Sequence, residues 1–346
     1  MDLPFLFSSR ERAMRKAVSI ALALFLLYLP GCQGNKKEQR IDRAHGHLRI
    51  VAAHIAEAFN PMQGEVIRVA IAARDAYLNK DSFIPSVNRK KYGLASTGIF
   101  YKKVQDENPS MFVSALTPVT DSVRETVYLT EALDQALIAA CKHPSIVQTY
   151  YNSRLNLSRI YPPVDVLNQF DPHIDILKFA FYYEADAAHN PGKGPVWLPN
   201  PYVDPAGRGW IVSLICPVYV HNRLEGVAGL DVAVSTVAKT FPTLQDKSVL
   251  MIDHEGAIIT GNDALTSLLS MPPVTQEKYL KSISDDQGSP KGHSLLESRS
   301  RDVREMAKRI LHHNEDRANI TIRGKKHTVI AAAIPEPGWT ILRIMD

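Results

Sequence analysis

Apolar positions along the chain fall into a few distinct periodic patterns. A continuous apolar run covers residues 17–28, and a polar stretch, 32–40, reads as a tether. Ile41, Leu48, Ile55, Met62, Val69 and Ala76 then recur every seven residues, with Val51, Phe59, Val66 and Ala73 widening the stripe. That spacing puts all ten on one face of a helix and predicts a long amphipathic helix over 41–80, bent or interrupted near Pro61.

Past residue 81 the period changes. Short strand-like pieces at 97–101 and 111–114 lead to a helical pattern over 120–142. Thr120 or Asp121 can cap it, and Val123, Val127, Leu133 and Leu137 form its apolar face. Residues 145–158 are mixed. The clearest strand signal is 209–233, where Ile211, Ser213, Ile215, Pro217 and Tyr219 oppose Val212, Leu214, Cys216, Val218 and Val220. His221-Asn222-Arg223 supplies the turn of a hairpin, and Pro217 implies an edge position or a bulge. After a connecting helix or linker at 236–245 a second pattern begins. It predicts strands at 248–253 and 257–260, helices at 264–269 and 301–311 around a polar loop at 282–293, and strands at 318–323, 328–334 and 339–344. This order predicts an α+β fold, with helices packed on antiparallel sheets and two modules, 81–235 and 236–346.

Composition agrees with a folded protein of two domains: 346 residues, 45% hydrophobic and 22% charged. The net charge is +4; loss of residues 1–31 removes four basic and two acidic side chains and leaves +2. With no basic stripe interleaved with aromatics, nucleic acid is excluded as a partner. Arg15 and Lys16 precede the 17–28 run, which is too short for a membrane span and reads as a secretory signal. Met14 stands just before them, so either Met1 or Met14 can be the start. The run ends in Leu29-Pro30-Gly31-Cys32, which resembles the lipobox of bacterial lipoproteins; an ordinary signal peptide ending at a cysteine is the alternative. The lipobox resemblance implies cleavage after residue 31 and acylation of Cys32, with palmitate among the chains. The mature protein would then sit on the periplasmic face of the cell envelope, and Gln33, in place of the aspartate of inner-membrane lipoproteins, points to the outer membrane. Cys141 and Cys216 can form a disulfide or remain buried thiols.

Catalytic motifs are missing. The chain has no G-x-S-x-G, P-loop, G-x-G-x-x-G or H-E-x-x-H, and His45, His47, His54 and the His312-His313 pair have no metal-ligand spacing. No enzyme activity, metal or cofactor is expected. Chemistry concentrates instead in 175–231. Phe179, Phe181, Tyr182 and Tyr183 cluster ahead of Trp197, Tyr202, Asp204 and Trp210. Aromatic density of this kind beside a carboxylate describes a concave pocket with polar handles. Asp231 stands mid-strand among Leu230, Val232 and Val234, where a bare carboxylate is costly to bury; its partner is a protein donor or a ligand cation. Trp197 and Trp210 suit core packing as well as ligand contact, and Asp204 suits a turn through Pro205-Ala206-Gly207.

The block Trp197…Pro201-Tyr202-Val203-Asp204-Pro205-Ala206-Gly207-Arg208-Gly209-Trp210-Ile211-Val212-Ser213…Pro217-Val218-Tyr219…Leu224-Glu225-Gly226-Val227-Ala228-Gly229-Leu230-Asp231-Val232 resembles the signature of the double Cache sensor domain. Pro335-Glu336-Pro337-Gly338-Trp339 is similar to the closing strand of its second module. The resemblance implies two PAS-like modules on one long helix, with the ligand in the membrane-distal module at 81–235. Family members bind amino acids, amines, carboxylates or purines outside the membrane. Tyr202 and Asp231 match the family's Tyr and Asp. The Arg-x-Trp pair of amino-acid-binding members is replaced by Phe179-Ala180-Phe181, so a ligand carboxylate has no bidentate clamp unless Lys178 substitutes. The expected function is a lipid-anchored small-molecule sensor that carries no output domain and signals through a transmembrane receptor, kinase or transporter. Its ligand is an amine or amino-acid-like solute held by Tyr182, Tyr183, Trp197, Tyr202, Asp204, Trp210 and Asp231. The alternative is a structural or protein-interaction lipoprotein whose module has no ligand.

Overall fold

The computed structural model describes residues 32–198, 200–204, 210–271 and 294–346. The expected signal and most of the lipobox (1–31), the polar loop 282–293 and the turn residues 205–207 lie outside them. Residues up to 47 and residues 48–346 form separate compact units.

One helix, α1 (Cys32–Leu78), spans the predicted heptad stripe. It also takes in the polar stretch 32–40 expected as a tether, and it runs unbroken through Pro61. In the larger unit Leu48, Ile55, Phe59, Met62, Val66, Val69, Ala73 and Ala76 are all buried. The spacing of the stripe thus reports the packed face of the helix.

The first sheet has nine antiparallel strands: β1 (Tyr92–Leu94), β2 (Phe100–Lys102), β3 (Ser110–Val113), β4 (Ile146–Ser153), β5 (Leu157–Tyr161), β6 (Val196–Trp197), β7 (Tyr202–Val203), β8 (Trp210–Val220) and β9 (Arg223–Ala233). Their order is β1-β2-β3-β5-β4-β9-β8-β6, with β7 also on β8. The predicted hairpin is β8–β9. His221 and Asn222 both take positive φ (48° and 63°) between the strands, the conformation that matches a two-residue turn to strand twist. Pro217 pairs with Val227, and the register shifts just beyond it, between Val218 and Tyr219. The predicted helix 120–142 is two helices, α2 (Asp121–Leu129) and α3 (Asp134–Ala140), joined by a 3-10 turn at Thr130–Leu133. The Thr120 side chain caps α2 by accepting from the Val123 amide. A further short helix, α4 (Ala180–Tyr183), precedes β6, and α5 (Val234–Thr240) follows β9.

The second sheet is five-stranded and antiparallel, in the order β11-β10-β14-β13-β12: β10 (Val249–Ile252), β11 (Ile258–Thr260), β12 (Arg317–Ile322), β13 (Lys325–Ile334) and β14 (Trp339–Met345). Two helices, α6 (Asp263–Leu268) and α7 (Arg301–His313), accompany it. Val303, Met306, Ala307 and Ile310 of α7 join Ile320, Val329, Ala331 and Leu342 in its core. Gly338 takes positive φ (87°) in the turn that delivers Trp339 to β14. Phe59 of α1 meets Trp197 of the first sheet and Trp339 of the second, both edge-on, with centroids 4.9 and 5.7 Å apart. The fold is α+β, with a long N-terminal helix and two antiparallel sheets.

Candidate functional site

The site is built on the face shared by β4, β5, β8 and β9. Side chains alternate along a strand, so Gln148, Tyr150 and Asn152 of β4 share one face while Thr149 and Tyr151 take the other. Cross-strand pairing then sets their neighbours. Gln148 lies opposite Asp231, Tyr150 opposite Gly229, and Asn152 opposite Ser158; Ser213 of β8 lies opposite Asp231 on its other side. Pairing alone therefore gathers residues far apart in the chain into one patch.

Gly229 makes this register possible. A Cβ there would stand 2.1 Å from Cζ of Tyr150 and 2.3 Å from its Cε2, so the tyrosine ring occupies the space that any side chain at 229 would need. The ring of Phe181, from α4, meets Tyr150 at 5.9 Å and Tyr202 at 6.1 Å. Phe112 and Phe170 stack at 4.7 Å along another wall.

These walls surround a cavity with about 410 Å³ of atom-free space, part of it open to solvent. Its polar end is a hydrogen-bonded chain. Gln148 Nε2 donates to Asp231 Oδ2 at 2.7 Å, and Ser213 Oγ donates to Asp231 Oδ1 at 2.5 Å. Having given its proton to the carboxylate, Ser213 accepts from the Tyr202 hydroxyl, 2.5 Å away. Asp204, buried like Asp231, lines the same cavity. The Tyr150 hydroxyl is buried within reach of the Ser213 and Tyr202 hydroxyls, and among the described residues none meets it with full hydrogen-bond geometry. Burial and the Asp231 charge together hold the protons on Tyr150 and Tyr202 far past the usual range for a phenol, so both hydroxyls stay donors. The described lining residues include two carboxyl groups and no lysine, arginine or histidine. A buried carboxylate fixed by two neutral donors, with tyrosine hydroxyls and aromatic faces around it, can hold an ammonium group.

Three of the seven residues expected from sequence meet here: Tyr202, Asp204 and Asp231. The other four do not line the cavity. Tyr182 is buried beside Tyr77, Arg154 and Glu225. Tyr183 tilts against His189, Trp197 packs on Phe59, and Trp210 pairs with Val203 in the β7–β8 ladder. Aromatic density marked the neighbourhood without telling inward from outward side chains. Lys178 is exposed and pairs with Asp175 at 3.5 Å, so it offers the cavity nothing. Sequence reasoning missed Gln148, Tyr150, Asn152 and Ser158; the first three share an i, i+2, i+4 spacing in β4, and Ser158 of β5 carries no such signal. Cys141 and Cys216 form no disulfide; the Cys141 thiol meets the Ile146 carbonyl at 3.9 Å, and burial pushes Cys216 up to about 11.

No family model matches the chain, and no curated protein matches its sequence. Solved structures do. The ligand-binding domain of the Pseudomonas fluorescens chemoreceptor CtaA in complex with L-isoleucine aligns over 92% of this chain and 97% of its own, at 17% identity and a TM-score of 0.52. The ligand-binding domain of the Pseudomonas aeruginosa PAO1 amino-acid chemoreceptor PctB in complex with L-Gln aligns over 88% and 90%, at 14% identity and a TM-score of 0.50. At such identities the likeness speaks for architecture. These neighbours are double Cache sensor domains. The chain has the double Cache fold, two antiparallel modules built along one long helix.

Proposed function

We propose that the chain is an extracytoplasmic small-molecule-sensing domain whose first module binds a compact solute through a protonated amine. The observation that carries the reading is the pair of buried carboxylates, Asp231 and Asp204, lining one aromatic cavity beside Tyr202 and the unmet hydroxyl of Tyr150. A buried hydroxyl without a well-aligned acceptor among the described residues is one that a guest can satisfy. This favours a ligand-binding module over one that keeps only the fold, and binding over catalysis, because no nucleophile–base pair lines the cavity among the described residues.

Two finer assignments go with this reading. Cys32, in the Leu29-Pro30-Gly31-Cys32 context, carries the lipid that holds the domain at the periplasmic face of the outer membrane. A receptor, kinase or transporter in the membrane is the partner that receives its signal. Among the described residues no helix is long and apolar enough to cross a membrane, and the charge pattern supports no nucleic-acid partner.

Calorimetric titration of ligand-stripped protein with alkylamines, amino acids and carboxylates tests the binding claim. Amines bind and simple carboxylates do not; Asp231→Asn, which keeps shape and removes charge, abolishes amine binding while the circular dichroism spectrum is retained. Amine affinity unchanged in Asp231→Asn would refute the assignment. For the anchor, Cys32→Ser should move the protein from the membrane to the soluble fraction of its host.

A further inference from the structure

The same cavity has a second polar end. Asn152 and Ser158 face each other across β4 and β5, and both line the cavity. They are 3% and 4% exposed, yet neither side chain makes a hydrogen bond within the described protein. Their neighbours in the same sheet behave differently. Gln148, Thr149, Arg159 and Ser213 are equally buried, and each is bonded at 2.5 to 3.3 Å. An amide and a hydroxyl side by side on a cavity wall, open to the cavity and not engaged by the described protein, are groups that a guest can hydrogen-bond.

Distance and charge define what the guest carries. Asn152 lies four residues from Gln148 on one strand, about 13 Å along it at the usual rise. Between them the wall is Tyr150, with Phe112 and Ile160 alongside. Subtracting a hydrogen bond of about 2.9 Å at each end leaves roughly 7 Å between the ligand's polar atoms. The Asn152–Ser158 end offers donors and acceptors but no charge, and no described lining residue is cationic. A carboxylate placed there would lose its hydration without a counter-ion, whereas a carboxamide or hydroxyl would exchange water for equivalent bonds.

We propose that Asn152 and Ser158 form a specificity subsite for an uncharged hydrogen-bonding group. The ligand class is then an amine bearing a carboxamide or hydroxyl about five to six bonds from its nitrogen. The inference rests on the amine reading at Asp231, and the test separates the two. Three probes are titrated calorimetrically into the full chain: 5-aminopentanamide, hexylamine and 5-aminopentanoate. The aminoamide binds about tenfold more tightly than either of the others, as expected when one or two buried groups are satisfied only by the amide. Ser158→Ala reduces that preference, and Asn152→Leu removes it. Should Asn152→Leu fail to fold, the Ser158→Ala result decides. Equal binding of the aminoamide and hexylamine to the unsubstituted chain overturns the subsite and leaves the amine pole standing. Tightest binding of 5-aminopentanoate overturns it in favour of a carboxylate subsite. If none of the three binds, the amine reading itself fails, and this inference with it.

Discussion

Gly229→Ala is the smallest change that tests the site's construction. It adds one methyl group on β9, directly opposite Tyr150. The new Cβ would lie 2.1 Å from Cζ and 2.4 Å from the hydroxyl oxygen of that ring. Carbon atoms in contact settle near 3.5–4.0 Å, so the ring must retreat by roughly 1.5 Å. Its free side is the cavity, where Phe181 already stands 5.9 Å away. Overpacking of this kind costs about 1–3 kcal/mol, and the displaced ring also narrows the cavity, so stability and ligand affinity should fall together. A double-mutant cycle isolates the cause. In a Tyr150→Ala background the clash partner is gone, and Gly229→Ala should then cost under about 0.5 kcal/mol, a coupling of about 0.5–3 kcal/mol. Urea denaturation of the four proteins supplies the free energies. Additive effects would show that Gly229 is not there to admit the tyrosine ring, and the account of the register would fail.

Other residues make separate predictions. Arg159 is fully buried on the far side of β5, donating to Asp134 Oδ1 at 2.6 Å, the Val127 carbonyl at 3.1 Å, and the Thr130 and Tyr92 hydroxyls at 3.3 Å. Arg159→Met should destabilise by about 3–5 kcal/mol, measured by urea denaturation, because a buried carboxylate loses its cation. Burial already raises Asp134 above its ordinary 3.8 against the pull of Arg159, and removing the arginine raises it further. A carboxyl raised on folding favours the folded state at low pH and loses that contribution as pH climbs through the folded value. The deficit of Arg159→Met should therefore be smallest in acid and grow as pH rises above about 4; a deficit independent of pH would argue against the pair. Phe59→Ala should cost about 3–5 kcal/mol and alter the fluorescence of Trp197 and Trp339, which flank its ring.

Legibility in the sequence followed solvent contrast. The buried stripe of α1 and the β8–β9 hairpin leave plain periodic and turn signals, although the sequence places the turn over His221-Asn222-Arg223 and the structure gives Arg223 to β9. The polar start of α1, residues 32–40, has no apolar stripe, and so looked like a tether although Lys36, Lys37, Glu38, Gln39 and Arg40 all suit a helix. The β4 strand was obscured for the opposite reason. Seven of its eight residues are buried, on both faces, so no alternation between solvent and core marks it. Gln148 and Asn152 face a cavity, and a cavity inverts the usual rule that polar means exposed. Asp231 was conspicuous because it is a lone charge within an apolar strand. Gln148 and Asn152 sit in a polar-rich stretch, where nothing distinguishes a cavity wall from a loop.

The two faces of β4 and β5 explain how one scaffold can serve different solutes. On the outer face Arg159 ties β5 to α2 and its turn, Thr149 bonds the Leu137 carbonyl of α3 at 2.9 Å, and Tyr151 meets Tyr77 of α1 at 3.2 Å. On the inner face Gln148, Tyr150, Asn152, Ser158 and Ile160 line the cavity. Alternation interleaves the two sets residue by residue, so every structural contact is one position away from a ligand-facing one. The bonds just named, which hold the sheet to its helices, all come from the outer face. Changes at Asn152 or Ser158 can therefore alter what is bound while leaving the buried Arg159 network intact. Framework contacts and cavity groups thus occupy opposite sides of the same strands.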